Sequence, residues 1–208
     1  MTAHTTEVSP AAALQRHVGS RVSWLQGRLL REDPAATAEL ARLRRAIRAQ
    51  VGGDPSVWSI MFEEWPAVLS AASAGPTPAE GAAHAALCLY AVHQQGKRDE
   101  GMHQRDWSLG RSIGMLAVRL GADSESAVKR RFDALVTADD LAEILHHSRG
   151  LITQLRGERI PLDYGLFAKH VMWLQLPETR DRARLRWARD YYSRPTKSTV
   201  FTPEGEPS

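Results

Sequence analysis

The sequence predicts an all-α protein of about seven to nine helices, arranged as one compact body or as two packed helical subdomains. Apolar residues recur at intervals of three and four through most of the chain, which is the period of an amphipathic helix. The alternation of apolar and polar residues that is typical of a half-buried strand is nearly absent. The chain has 208 residues, of which 43% are hydrophobic, so it can bury a substantial core.

Helix-start residues mark the elements of the first half of the chain. Ser9 precedes Pro10, and Asp33 precedes Pro34; a capping side chain before a proline is typical of a helix start. The apolar stripes that follow are Leu14, Val18, Val22, Leu25 and Leu29 in the first helix, and Leu40, Leu43, Ile47 and Val51 in the second. Residues 52–76 are irregular and predict a packed connection that contains a short helix.

The rest of the chain continues the helical pattern. Thr77, Pro78 and Glu80 predict a capping box at the start of a long helix that Gly96 ends. Later helices are predicted from Ser108 to about Leu120, across residues 126–136 after a break at Gly121, from Thr137 and Asp140 to Gly157, from about Pro161 to Leu174, and from Pro177 to Tyr192.

These elements predict four segments along the chain. Residues 1–9 are expected to be a flexible N-terminus, and residues 10–120 an N-terminal helical subdomain. Residues 121–193 are expected to form a C-terminal helical subdomain. Residues 194–208 contain three prolines and no periodicity, so we expect a disordered tail.

Several classes of protein lack support in the sequence. Cys88 is the single cysteine, which excludes an internal disulfide. The N-terminus does not resemble a signal peptide and no apolar run would span a bilayer, so we expect a cytoplasmic protein without a membrane partner. We find no phosphate-binding loop, no GxSxG, no His-Asp dipeptide and no metal-ligand spacing. The sequence therefore predicts no enzyme activity, no metal and no cofactor.

Clustered cations are the most informative feature, because the net charge is only +3. Residues 40–50 contain no acid and four arginines, which are Arg42, Arg44, Arg45 and Arg48. On a helix they form a basic strip beside the apolar stripe, with arginines one turn apart about 6 Å from each other, close to the phosphate spacing of an extended single strand. A solvated face, with Glu39 pairing some of these arginines, is the alternative.

A second cluster, Lys129, Arg130 and Arg131, lies within "SAVKRRFDALV" (126–136). Val128 and Phe132 mark the apolar face of this helix, so the cations point outward, where Asp133 is the single acid. Lys97 and Arg98 are further candidates in a loop, with acidic residues directly after them. The helix around residues 126–136 also fits the outline of a helix-turn-helix reader, but it lacks the asparagine and glutamine that read base edges.

A third cluster, "RDRARLRWARDYY" (180–192), interleaves five arginines with aromatic residues; the arginines are Arg180, Arg182, Arg184, Arg186 and Arg189. Arginine and aromatic side chains together can stack bases of a single strand. The same residues also fit a structural role, because Asp190 lies four residues from Arg186, and Trp187 and Tyr191 lie one turn apart on a core stripe. The structural role is the interpretation that we prefer.

An ordered set of segments resembles the CasB family, the small subunits of the type I-E CRISPR surveillance complex Cascade. The segments are "LARLRRA" (40–46), "LCLYAVHQQG" (87–96), "SLGRSIGMLAVRLG" (108–121), "SAVKRRFDALVTADDLAEILHHSRGLI" (126–152), "IPLDYGLFAKHVMWL" (160–174) and "RLRWARDYY" (184–192). The resemblance runs from about residue 10 to 193. An extended N-terminus and the polar tail are the departures from it.

The resemblance implies an all-helical, non-catalytic subunit for antiviral defence. Two copies would pack head to tail beside the backbone subunits that carry the guide RNA, with a separate helicase-nuclease as the cutting enzyme. The pair would present basic surface to the guide RNA and the target DNA and so stabilise the R-loop. Both helical cation clusters, with Lys97 and Arg98, would then contact backbone phosphates.

Two other functions remain open from the residues. One is a stand-alone helix-turn-helix DNA-binding regulator, which would prefer one duplex sequence. The other is a structural helical adaptor whose arginines meet acidic protein partners, which would bind no nucleic acid in isolation.

Overall fold

The computed structural model describes residues 9–71 and 73–193, and within these ranges the chain forms nine α-helices and no β-strand. This confirms the predicted all-α class. The helices are α1 (Pro10–Leu30), α2 (Pro34–Ala46), α3 (Trp58–Phe62), α4 (Pro78–His93), α5 (Leu109–Leu120), α6 (Ala122–Val136), α7 (Leu141–Gly157), α8 (Tyr164–Leu174) and α9 (Pro177–Tyr192). Short 3₁₀ turns, Pro55–Val57 and Ala67–Leu69, flank α3.

Side-chain caps fix most of the helix starts. Ser9 Oγ accepts a hydrogen bond from the backbone N–H of Ala12 (3.3 Å) at the start of α1. At α4 the predicted capping box is complete, because Thr77 Oγ1 accepts from Glu80 N (3.2 Å) while the Glu80 carboxylate accepts from Thr77 N (2.7 Å). Gly121 joins α5 to α6 with a φ of 81°, a left-handed conformation that favours glycine. Local sequence therefore defines these boundaries.

The second helix is shorter than its apolar stripe predicts. It ends at Ala46, and the N–H of Ala49 donates to the Ala46 carbonyl (2.9 Å) in the following turn. The chain turns back there so that the 3₁₀ turn Pro55–Val57 packs against α2. Arg48 therefore lies in the turn after α2 rather than on the helix.

The eighth helix begins later than predicted, at Tyr164 rather than about Pro161. Residues 160–163 instead run beside the loop before α5, where the N–H of Leu162 donates to the Met102 carbonyl (3.0 Å) and that of Asp163 to the Trp107 carbonyl (2.7 Å). The Asp163 side chain then caps α8 by accepting from Leu166 N (2.9 Å). Tertiary hydrogen bonds therefore set this boundary.

Helix α8 lies at the centre of the packing, since α1, α4 and α9 all pack against it. The α1–α8 crossing is close, because Gly19 and Gly165 face each other where the two helices meet. Helix α7 packs on α4 and α6, and α5 packs on α6 and α9. The elements of residues 10–120 and 121–193 thus share extensive contacts, and their division into two subdomains stays a prediction.

Two predicted segments fall outside the described ranges. These are residues 1–8 of the expected flexible N-terminus and the expected disordered tail, residues 194–208. Among the helices that the structure describes, none combines the length and apolarity needed to cross a bilayer.

Candidate nucleic-acid interface

The cations of the second helix form a basic surface that we name the α2 strip, made up of Arg42, Arg44, Arg45 and Arg48. Arg45 and Arg48 are exposed, and Arg42 and Arg44 are half-buried. Burial lowers the pKa of Arg44, and the neighbouring Arg45 lowers it further. None of the four forms an ion pair with a carboxylate in residues 9–71 or 73–193.

Glu39, the acid that the sequence offers to the α2 strip, binds a different arginine. Arg28 on α1 holds Asp33 at 2.6 Å and Glu39 at 3.2 Å. The hydrogen bond that Arg28 donates to Asp33 lowers the pKa of that carboxyl group. Glu39 is therefore not the ion-pair partner of the α2 strip, and a solvated face without that pairing stays the alternative.

The cations of the sixth helix, Lys129, Arg130 and Arg131, form the α6 triad. Lys129 Nζ donates to both carboxylate oxygens of Asp133, at 2.5 and 2.7 Å, and this interaction raises the pKa of Lys129. Arg130 and Arg131 are exposed and form no ion pair with any described acid. The triad therefore presents two unpaired guanidinium groups and one lysine that is partly neutralised.

The loop pair, Lys97 and Arg98, lies after α4. The acids that follow it in sequence, Asp99 and Glu100, both accept from Arg159 Nη1, at 2.9 and 2.7 Å. Arg98 is exposed and Lys97 is half-buried. The neighbouring acids thus bind a distant arginine rather than the loop pair.

The arginines of α9 mostly support the fold. Arg180 Nε donates to the Leu174 carbonyl (2.9 Å), and Arg184 Nε donates to the Val136 carbonyl (2.8 Å). Arg186 pairs with Asp190 at 3.0 Å. The first two contacts join α9 to the ends of α8 and α6, and the Arg186–Asp190 pair within α9 is the ion pair that the structural interpretation predicts.

The aromatic residues of α9 are also part of the core. Trp187 is fully buried, and its Nε1 donates to His170 Nδ1 (2.8 Å). Tyr191 is 2% exposed and stacks on Phe132 with ring centroids 5.2 Å apart. These two rings are not available to stack a base.

The adjacent histidines of α7, His146 and His147, have ring planes 77° apart. No group of three or more histidine, cysteine or acidic side chains in the described part of the chain could hold a metal ion.

The sequence interpretation missed an arginine on the seventh helix. Arg149 and His146 of α7 line a groove that Arg48, in the turn after α2, also lines. Arg149 is exposed and has no ion pair within the described residues. The spacing of three between His146 and Arg149 places them on one helix face, and this is the signal that could have identified them.

Comparisons with known proteins place the chain in a family. The model of the family described as CRISPR-associated protein Cse2 matches residues 39–192. The crystal structure of CasB from Thermobifida fusca is 32% identical, with a TM-score of 0.74, and the match covers 87% of this chain and 98% of that chain. A comparison with curated protein sequences finds no match.

A second solved structure has the same fold at lower identity. The crystal structure of M. ruber CasB aligns with a TM-score of 0.56 and 17% identity, over 89% of this chain and 94% of that chain. The family model matches most of the chain. The alignment with the Thermobifida fusca protein covers nearly the whole length of that protein. The chain therefore belongs to the Cse2/CasB family, the small subunit of the type I-E CRISPR complex Cascade.

Proposed function

We propose that this subunit binds nucleic-acid backbone without sequence preference and thereby stabilises the R-loop that forms when guide RNA pairs with target DNA. Family membership supports this role, because Cse2 proteins are structural Cascade subunits that are generally non-catalytic. Membership also implies the other Cascade subunits, the guide RNA and the target as partners. We further propose that two copies of the chain act together in the complex and that neither is an enzyme.

The observation that carries the proposal is the charge environment of the α2 strip. Arg44 is half-buried beside the like charge of Arg45, and no described acid forms an ion pair with either; the charge of Arg45 contributes to lowering the pKa of the nearby Asp54. Two guanidinium groups in this arrangement repel each other, and an anion between them would relieve the repulsion. A phosphate group suits this position, because guanidinium groups bind phosphate oxygens through paired hydrogen bonds.

The α6 triad and the loop pair extend the proposed contacts. Arg130, Arg131 and Arg98 are exposed and have no ion pair within the described residues. Helix α6 carries no asparagine or glutamine, the side chains that typically read adenine. Contacts from these cations would therefore position a strand without reading its sequence.

A few such contacts are enough to affect R-loop formation. The exchange of a DNA duplex for a guide–target heteroduplex is nearly balanced in free energy. Protein contacts to the nucleic-acid backbone form only in the opened state, the R-loop. They lower the free energy of the R-loop and so shift the equilibrium toward it. Because sequence is read by pairing with the guide, contacts without sequence preference suit this role.

The test measures fluorescence anisotropy of the full chain with a single strand and with a duplex, both of unrelated sequence, across a salt series. Replacing Arg44, Arg45 and Arg48 with alanine should weaken binding to all sequences alike. It should also flatten the slope of log affinity against log salt by about 2, because each single-strand phosphate contact contributes about 0.7.

A matched control removes the same charge from three other exposed positions, which are Arg16, Arg31 and Arg189. This control variant should retain the wild-type slope. An unchanged slope in the folded α2 variant would remove the α2 strip from the interface. A strong preference for one duplex sequence would indicate the regulator, and no binding at low salt would indicate the protein adaptor.

A further inference from the structure

A groove of about 690 Å³ lies between the turn after α2, the segment before α4, and α7. Its volume falls within the range of small-molecule pockets, about 300–1,000 Å³. Aliphatic side chains make up much of its lining: Ile47, Val51, Leu141, Ala142 and Leu145. Ligand pockets typically combine such an apolar lining with a few polar groups.

The charge in the groove has one sign. Arg48, in the turn after α2, and Arg149, on α7, both line the groove, and no carboxylate is among its lining residues. Neither arginine has an ion pair among the described residues. His84, which is 3% exposed, also lines the groove, and burial lowers its pKa. The groove therefore offers an apolar space bordered by two arginines.

We propose that this groove holds an unstacked base of a single strand, with the flanking phosphates on Arg48 and Arg149. This inference rests on the proposed function, and it identifies single-stranded nucleic acid as the ligand of the α2 strip. A nucleotide has the matching chemistry, since it joins an apolar planar base to anionic phosphates. Gln50 is an exposed residue of the lining. Its side-chain amide can donate a hydrogen bond to a base edge or accept one from it.

The arrangement favours a nucleic acid over an acidic peptide. Arg44 and Arg45 lie in the last turn of α2, directly before the turn that carries Arg48 into the groove. A polyanion with regularly spaced phosphates would contact these arginines in succession and then enter the groove. One acidic side chain of a peptide would contact one of them.

The test separates base binding from backbone binding. Anisotropy is measured with an oligothymidylate and with an abasic strand of the same length, which has the same phosphates and no bases. Wild-type protein should bind the oligothymidylate about tenfold more tightly, which is about 1.4 kcal/mol, because the aliphatic lining would remove roughly 55 Å² of base surface from water at about 25 cal/mol per Å².

The informative variant fills the groove without removing a cation. Ala142 is an exposed groove residue, so Ala142→Leu obstructs the space, leaves the core intact and adds no aromatic ring that could stack a base. It should reduce oligothymidylate affinity toward the abasic level, with abasic affinity and salt slope unchanged. Ala67→Leu, at an exposed position outside the groove, is the matched control and should behave as wild type.

A charge variant completes the design. Arg149→Ala should weaken the binding of both strands alike and flatten the slope of log affinity against log salt by about 0.7. Equal binding of the two strands by wild type would overturn the groove inference while backbone binding stands. An unaffected Ala142→Leu variant would also overturn it. Binding of neither strand at low salt would refute the proposed function, and the groove inference with it.

Discussion

Removal of one acid from the α6 surface should strengthen nucleic-acid binding. Lys129 Nζ lies 2.5 and 2.7 Å from the two carboxylate oxygens of Asp133, so its charge is largely compensated within the helix. Asp133→Asn releases this lysine next to two arginines that have no ion pair in the described structure. If the α6 triad faces phosphates, the lysine becomes an additional contact.

The expected magnitude follows from the electrostatics of a single contact. One more phosphate contact on a single strand steepens the dependence of log affinity on log salt by about 0.7, which is about fivefold in affinity at 0.1 M salt relative to 1 M. The fold should tolerate the change, because an exposed ion pair at this helical spacing contributes only about 0.3–0.5 kcal/mol. Anisotropy with a single strand across a salt series measures both quantities.

Two controls distinguish a local effect from a change in net charge. Glu32→Gln removes an exposed acid between α1 and α2 and alters net charge by the same amount, so it should leave the slope unchanged. Adding Lys129→Ala to the Asp133→Asn variant should abolish the gain. If Asp133→Asn has the wild-type affinity and slope, Lys129 does not face the bound strand, and its assignment to the interface is refuted.

Two further predictions concern stability. An added Cβ at Gly165 would overlap the Gln15 carbonyl and lie 3.2 Å from backbone atoms of Gly19. Gly165→Ala should therefore lower the free energy of unfolding by about 2 kcal/mol and lower the Tm by about 4–8 °C. Gly19→Ala meets only an ordinary contact at 3.8 Å and should retain or raise the Tm; equal Tm values would contradict the close crossing. Burial lowers the pKa of His170 from 6.5 to about 3, so the unfolded chain binds more protons between these values and stability is lost as pH falls from 6.5 toward 3. Urea unfolding should show a lower midpoint at pH 5 than at pH 7, with a smaller difference in His170→Gln; equal wild-type midpoints would contradict this assignment.

Local patterns were sufficient to predict most of the fold. The starts of α1, α2, α4 and α5 follow from a capping residue before an amphipathic stripe, and both signals lie within a few residues of each other. The boundaries that differ depend on distant parts of the chain. Helix α8 begins late because residues 160–163 bond to the loop before α5, and α2 ends early because the chain turns back to pack against it. Neither of these tertiary contacts can be recognised from the residues near the helix ends.

The candidate interface was predictable as a set of cations but not as a set of unpaired charges. Sequence proximity suggests that an acid neutralises the nearest arginine, and two cases show why this fails. Glu39 binds Arg28, eleven residues away on another helix, although several arginines follow it closely on its own helix. Asp99 and Glu100 bind Arg159, about sixty residues away. Because these three carboxylates bind cations that the fold brings to them, the cations next to them in sequence are left free for another anion, whereas Asp133 and Asp190 pair within their own helices. The positive surface of this nearly neutral protein is therefore a property of its tertiary structure.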